Sequence, residues 1–269
     1  MARPIIALLT DFGWADHYAG AMKGAALTIC PDAMLVDISH DVPPHDILAG
    51  ALELQFSFHY FPPGTVFLVV VDPGVGSSRL GLAAEAGDYR FVAPDNGVLS
   101  GVFEDVPPKR VVSLTERRYA RPTISRTFEG RDRFAPAAGW LAKGAKVAAL
   151  GSAVKDYVRI GIPHAAETDD RIVGQVMRVD RFGNLVTNIP RPMVDKLAAG
   201  GAIDIRAGGH PIGTLVETYA GAEPGTPCAL FGSSDRLEIA LNGGDAALHL
   251  GVAAGAVVEV VRPSTPMVR

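Results

Sequence analysis

The stretch that most constrains this chain is residues 66–82, VFLVVVDPGVGSSRLGL. Val66–Val70 and then Val71 form an unbroken apolar run, mostly β-branched. Such a run suits a strand buried on both faces of a parallel sheet. It ends on Asp72, an acid that is costly to bury unless something pairs with it. Pro73-Gly74-Val75-Gly76 then forces a tight turn, which brings backbone N–H groups close to anything at the strand end. Arg79, a permanent cation, follows closely enough to return across that turn towards the carboxylate. Two readings stand at this point: an ion pair that braces a turn, or the acid and cation of a site.

Composition bounds the rest. A chain of 269 residues with 48% apolar residues can bury a sizeable core, as one large or two ordinary domains. No apolar run approaches the ~18 residues that would span a bilayer, and MARPIIALLT lacks a signal-peptide layout. Cys30 and Cys228 form no CxxC pair and are expected as buried, reduced thiols of a cytoplasmic protein. A net charge of -4 without a long basic stretch argues against nucleic acid as a partner, and nothing points to a membrane.

Strands are expected at Ile5–Thr10, Met34–Ile38, Val66–Val71, Leu80–Glu85, Tyr89–Val92 and Arg110–Leu114. Helical spacing is expected over 17–30, 46–59, 98–103 and 134–143. This alternation predicts an α/β domain with a mostly parallel central sheet over residues 1–165. The polar stretch 163–170 then leads into short strands: 172–179, 185–188, 202–206, 213–217, 228–231, 237–241 and 256–261. Gly-rich turns between them predict an all-β, barrel-like domain over residues 170–269, with helices only at 193–199 and 245–251.

Several polar residues stand out against this frame. Asp11, in Asp11-Phe12-Gly13, is a second acid closing an apolar run; DFG also occurs in protein kinases, but no glycine-rich loop or HRD accompanies it here. His40, Asp41, His45 and Asp46 could be read as metal ligands, yet Pro43-Pro44 extends the chain between the two pairs. A loop lining a pocket fits them better, and Asp46 is placed to cap the next helix. Asp11, Asp72 and Asp95-Asn96 all follow strands, where an open α/β sheet lines its ligand crevice. Asp132 reads as a helix N-cap and Pro136 as a first-turn residue. Glu129 has no capping duty and could be a solvated acid. Asp180, Phe182 and Asn184, and later Ser233, Ser234 and Glu238, are either turn formers or a recognition set for a purine and a polar tail.

Taken together and in order, TDFG, VDPGVG with its following Arg, APDNG, TF-x-GRD-x-FAPAA, D-x-FGN-x-x-TNI and S-x-x-LEIA-x-N resemble the S-adenosylmethionine hydroxide adenosyltransferases, relatives of the fluorinase and chlorinase enzymes. The resemblance covers roughly residues 4–262. It implies hydrolysis of S-adenosylmethionine to adenosine and methionine without a cofactor or metal. It also implies a homotrimer whose sites join one subunit's N-domain to a neighbour's C-domain. The catalytic Asp and Arg fall on Asp72 and Arg79; the family's His falls on Glu129, a departure. Asp11 would take the ribose hydroxyls, with Asn96 nearby. Asp16, Asp180, Ser233 and Ser234 would hold the methionine end, and Phe182, Asn184 and Tyr219 the adenine. The related halogenases carry an Arg where this chain has Ser234.

On that resemblance, the chemistry is a displacement at the 5′ carbon. A sulfonium leaves without protonation, so the protein has only to aim a water and take its proton. Asp72 is the natural base, with Arg79 expected to hold it ionised. Glu129 is expected to share a proton with Asp72 or to turn towards Arg79 as its second partner. Two alternatives remain: a halogenase, which a carboxylate beside the halide disfavours and in which a Tyr replaces Asp72, and a catalytically weak binder of S-adenosylmethionine or adenosine.

Overall fold

The computed structural model describes residues 3–263 apart from 200 and 214, and the chain divides into two units between Ile162 and Pro163. In the first unit, β1 (Ile5–Thr10), β2 (Met34–Ser39), β3 (Val66–Val70), β4 (Gly81–Ala86), β5 (Tyr89–Pro94) and β6 (Pro108–Ser113) form one sheet in the order β2-β1-β3-β5-β4-β6. β2, β1, β3 and β5 pair in parallel, and only β4 runs against its neighbours. The sheet is therefore mostly parallel, as the continuous apolar runs require.

β3 shows why. Val66, Leu68 and Val70 point to one face and Phe67, Val69 and Val71 to the other. The first face packs against α1 (Tyr18–Ile29) and α4 (Ala135–Ala142) through Met22, Ala26, Ala138 and Leu141. The second packs against α2 (Ile47–Ser57) and α3 (Ser100–Asp105) through Leu54 and Val102. Each fully buried side chain of this size contributes about 1.5–3 kcal/mol, so β3 alone can offset the burial of one paired acid at its end. Asp46 caps α2 by accepting from the Ala49 N–H at 2.9 Å, as its position predicts.

Asp132 does not cap α4. It lies inside a wide, π-type helical turn, Gly130–Phe134, that runs directly into α4, and its side chain is 1% exposed. Burial alone would raise its carboxyl, but the Arg131 fork at 2.7 and 2.8 Å and the Ser125 N–H at 2.9 Å hold it below the ordinary carboxylate range. An N-cap reading fails because the helical turn begins before Asp132 rather than after it. Pro136 does sit in the first turn of α4.

In the second unit the strands are β7 (Ala166–Glu167), β8 (Arg171–Val179), β9 (Leu185–Pro190), β10 (Asp204–Ala207), β11 (His210–Ile212), β12 (Pro227–Phe231), β13 (Arg236–Leu241) and β14 (Val257–Val261). They pair antiparallel in the order β11-β10-β14-β8-β9-β13-β12, with β7 on β8. A bridge from Leu215 to Ala229 of β12 draws the end beyond β11 towards the other edge, so the sheet nearly closes into a barrel. The expected strand 213–217 includes residue 214, which lies outside the described residues. Ile172, Val176, Ile189, Ile205, Ile239 and Val260 fill the interior, and α5 (Arg191–Ala198) and α6 (Ala246–Leu250) are the helices the sequence places there.

Candidate active site

Because β2 lies on one side of β1 and β3 on the other, the strand order turns back between β1 and β3. That is the position at which an open α/β sheet leaves a crevice at its carboxyl edge. Asp11 closes β1 and Asp72 follows β3, so topology sets the two acids on neighbouring strand ends. Side-chain alternation turns Asp72 to the face of α1 and the Gly130–Phe134 turn.

The turn after Asp72 is held by the Val75 N–H to the Asp72 carbonyl at 3.2 Å and the Ser77 N–H to the Gly74 carbonyl at 3.1 Å. Gly76 has φ +79° and lies so near the Arg126 carbonyl that a Cβ would sit 2.4 Å from it, so only glycine fits. Arg79 then comes back as the spacing predicts. Its Nε donates to Asp72 Oδ1 at 2.8 Å and its Nη2 to Oδ2 at 2.5 Å, a two-pronged fork. The same Nη2 lies 2.6 Å from Glu129 Oε2, and the guanidinium covers the Phe134 ring at 5.2 Å. Side-chain exposure is 5% for Asp72, 9% for Arg79 and 13% for Glu129, so Glu129 is no solvated surface acid.

The balance of charge at the site is set by more than the fork. The Arg79 fork does not dominate Asp72: burial pushes that carboxyl above its ordinary value, the fork pulls it down, and Glu129 adds to the rise. Burial also works against the charge of Arg79, but Asp72 and Glu129 together hold it more firmly protonated than usual. A second guanidinium serves the two carboxylates, because Arg133 Nη2 lies 3.1 Å from Glu129 Oε1. Of the two postures expected for Glu129, the structure shows the one turned to Arg79.

Asp72 and Glu129 line a cavity of about 400 Å3 with Phe12, His17, Tyr18 and Phe128 among its walls. Phe12, Tyr18 and Phe128 meet edge to face or tilted at 5.2–6.0 Å between centroids, and Arg131 lies over Phe128 at 5.0 Å. Sequence reading missed this aromatic wall, which brings Phe128, 110 residues beyond Tyr18 in the chain, to Phe12 and Tyr18. The other expected members of the crevice are engaged by backbone. Asp11 accepts from the His45 N–H at 2.9 Å, and His45 itself has φ 69°. Asn96 bridges the Val71 carbonyl at 2.8 Å and the Val98 N–H at 3.2 Å, bracing the backbone beside Asp72. Asp95 accepts from the Val158 N–H. His40 is buried with its ring nitrogens 2.7 Å from the Thr10 hydroxyl and 3.1 Å from Asp37, while Asp16 is exposed ahead of α1.

In the second unit, Phe182, Asn184 and Tyr219 line a separate, mainly apolar cavity of about 540 Å3 with Leu241, Gly243 and Gly244. Phe182 is 76% exposed, an aromatic face held out on the β8–β9 turn. Asp180 shapes that turn, accepting from the Phe182 and Asn184 N–H groups at 2.8 and 2.9 Å and from Asn184 Nδ2 at 3.0 Å. Tyr219 donates its hydroxyl to Glu238 at 2.6 Å. Burial raises the Tyr219 hydroxyl well above its ordinary value, and Glu238 adds to the rise. Glu238 is itself raised, first by its burial, with Asp180 adding. Ser233 and Ser234 lie in the β12–β13 turn beside Arg236, which pairs with Pro190, whereas Ile239 pairs with Leu185. Ser233 directly follows Gly232, at which a Cβ would lie 2.3 Å from Glu238 Oε2, so this turn stands beside the Tyr219–Glu238 pair.

The chain has a model match to the SAM hydroxide adenosyltransferase N-terminal domain over residues 6–151 and to the C-terminal domain over residues 174–259. It is 36% identical to an (R)-S-adenosyl-L-methionine hydrolase of Salinispora tropica, covering 94% of this chain and 95% of that one. It is 35% identical to an (R)-S-adenosyl-L-methionine hydrolase of Thermus thermophilus, covering 96% and 100%. A fluorinase of Actinoplanes is more distant, at 28% identity over 96% of this chain and 98% of its own. The crystal structure of an uncharacterized conserved protein from Thermotoga maritima superposes with a TM-score of 0.90 at 34% identity, covering 96% of this chain and all of that one. With both domain models matched in order across the two units, the chain belongs to the SAM hydroxide adenosyltransferase family.

Proposed function

We propose that this protein is an S-adenosyl-L-methionine hydrolase that forms adenosine and L-methionine, and that it takes the (R) form named for its relatives. The observation that carries the mechanism is the Asp72 carboxylate, almost fully buried, forked by Arg79 and facing the cavity wall. Water attacks the 5′ carbon, its proton passes to Asp72, and the C–S bond electrons leave on the methionine sulfur. Asp72 returns the proton to solvent. The sulfonium carries its own leaving group, so no cofactor is invoked. The faces of Phe12, Tyr18 and Phe128 suit a sulfonium cation. Two carboxylates beside the reacting carbon favour water over a halide.

The adenine is assigned to Phe182, Asn184 and Tyr219 and the attack to Asp72, so a working site needs both units. We place the two in neighbouring subunits of a homotrimer in the cytoplasm, where the buried thiols Cys30 and Cys228 stay reduced. The direct test is purified protein with a mixture of the two sulfonium epimers, with and without chloride. The expected result is adenosine and methionine in equal amounts, consumption of the (R) epimer only, and no chlorinated nucleoside. Absence of adenosine would leave a binding protein, and a chlorinated product a halogenase. For assembly, Asp72→Asn and Asn184→Ala subunits, each inactive alone, should regain part of the activity when co-assembled, because some sites then carry neither lesion. No recovery after confirmed mixing would put the site within one chain.

A further inference from the structure

Arg133 has no place in the sequence reading, and its geometry ties it to the reacting acid. It stands one helical turn after Glu129 and sets Nη2 3.1 Å from Glu129 Oε1. Its Nη1 donates to the Leu114 carbonyl at 3.0 Å, and its Nε is buried with no partner among the described residues. The side chain passes Gly81 closely: a Cβ there would come 2.5 Å from the Phe134 ring and 3.4 Å from Arg133 Cδ. The guanidinium is thus fixed at two points on a path that a larger residue at 81 would obstruct.

The contacts form one line. Arg133 grips Oε1 of Glu129, Oε2 of Glu129 meets Arg79 Nη2, and the same Nη2 holds Asp72 Oδ2. Resting on the hydrolase reading, we propose that Arg133 is a positioning residue for this reaction, clamping Glu129 so that Arg79 keeps its fork on Asp72 and Asp72 keeps its aim on the water. Without Arg133, one Glu129 oxygen loses its cation, the carboxylate is free to turn towards solvent, and Arg79 loses the partner opposite Asp72. Like-charge repulsion between Asp72 and Glu129 would also rise, because alternating signs become two acids on one base. The charged groups around Asp72 are Arg79 from its own turn, Glu129 and Arg133 from the helical turn, Asp11 at the end of β1, and His17 and Arg131 on the cavity wall, Arg131 being engaged with Asp132.

The test uses Arg133→Met, which keeps the length of the stem, and Arg133→Lys, which keeps the charge. Two readouts are taken on each: the pH profile of adenosine formation, and the side-chain NMR signals of the Arg79 guanidinium, which need no turnover. Arg133→Met should lower kcat about tenfold with KM little changed, a loss typical of slight misalignment. It should also move the acid limb of the profile to higher pH, because a cation near Asp72 is gone. Arg133→Lys should recover most of the rate and return the limb. The Arg79 Nη signals should lose their protection from exchange in the Met variant and keep it in the Lys variant. Wild-type kcat and an unmoved limb in Arg133→Met would overturn the proposal, as would equal losses in both variants with no change in the limb. If the wild-type protein forms no adenosine, the hydrolase reading fails by itself. The Arg79 signals then decide whether the clamp exists, and unchanged signals in Arg133→Met would end it.

Discussion

Asp72→Asn is expected to lower kcat for adenosine formation by about 10²–10⁴-fold, the contribution of a positioned general base, while substrate binding is kept. The amide matches the carboxylate in shape but cannot take the proton of the attacking water. It also breaks the fork. Arg79 offers Nε to one oxygen and Nη2 to the other, so an amide must set its NH2 against one of these donors. The acid limb follows from the same group. Asp72 must be ionised to act, and burial raises its carboxyl above the ordinary value. The wild-type rate should therefore start to fall at a higher pH than an ordinary carboxylate would give, and it should fall further as pH drops through the raised value. In Asp72→Asn that limb should vanish from the residual rate. A loss smaller than about tenfold, with the limb retained, would remove Asp72 from the role.

Much of the fold was legible because burial writes a period into sequence. β1 and β3 are continuous apolar runs, and a strand covered on both faces has no other pattern available. Asp46 and Pro136 were legible because a cap and a first-turn proline act within a few residues of themselves. Asp132 misled for the same local reason. It resembles a cap before Pro136, but the helical turn starts earlier, and its burial depends on Arg131 and on Ser125 across a loop.

The site divides along the same line. Asp72 and Arg79 could be paired from sequence because a tight turn limits where Arg79 can go. The wall of Phe12, Tyr18 and Phe128 could not, since 110 residues of chain separate Tyr18 from Phe128 and no period links them. Arg133 was within reach. Glu129 and Arg133 are four residues apart at a helix start, the spacing at which opposite charges meet on one face. The raised Asp72 carboxyl was not readable, because desolvation depends on what covers the group and not on what precedes it in the chain.

Glu129→Ala is expected to cost about 10–10²-fold in kcat, less than Asp72→Asn, since it removes an aligner and leaves the base. The sign of its pH effect distinguishes it from the Arg133 variants. Glu129 contributes to the rise of the Asp72 carboxyl, so its removal should move the acid limb to lower pH, opposite to the shift expected on losing Arg133. Glu129→His, which restores the residue of the family pattern, should move the limb the same way. Its imidazole would stand between Arg79 and Arg133, where a third positive charge is unfavourable, so it should work as a neutral group. The His variant should therefore keep more activity than the Ala variant at neutral pH and lose that advantage as acid protonates the ring. If Glu129→Ala proves more damaging than Asp72→Asn and abolishes the acid limb, the assignments are reversed: Glu129 takes the proton from water, and Asp72 is the group that holds Arg79 in place.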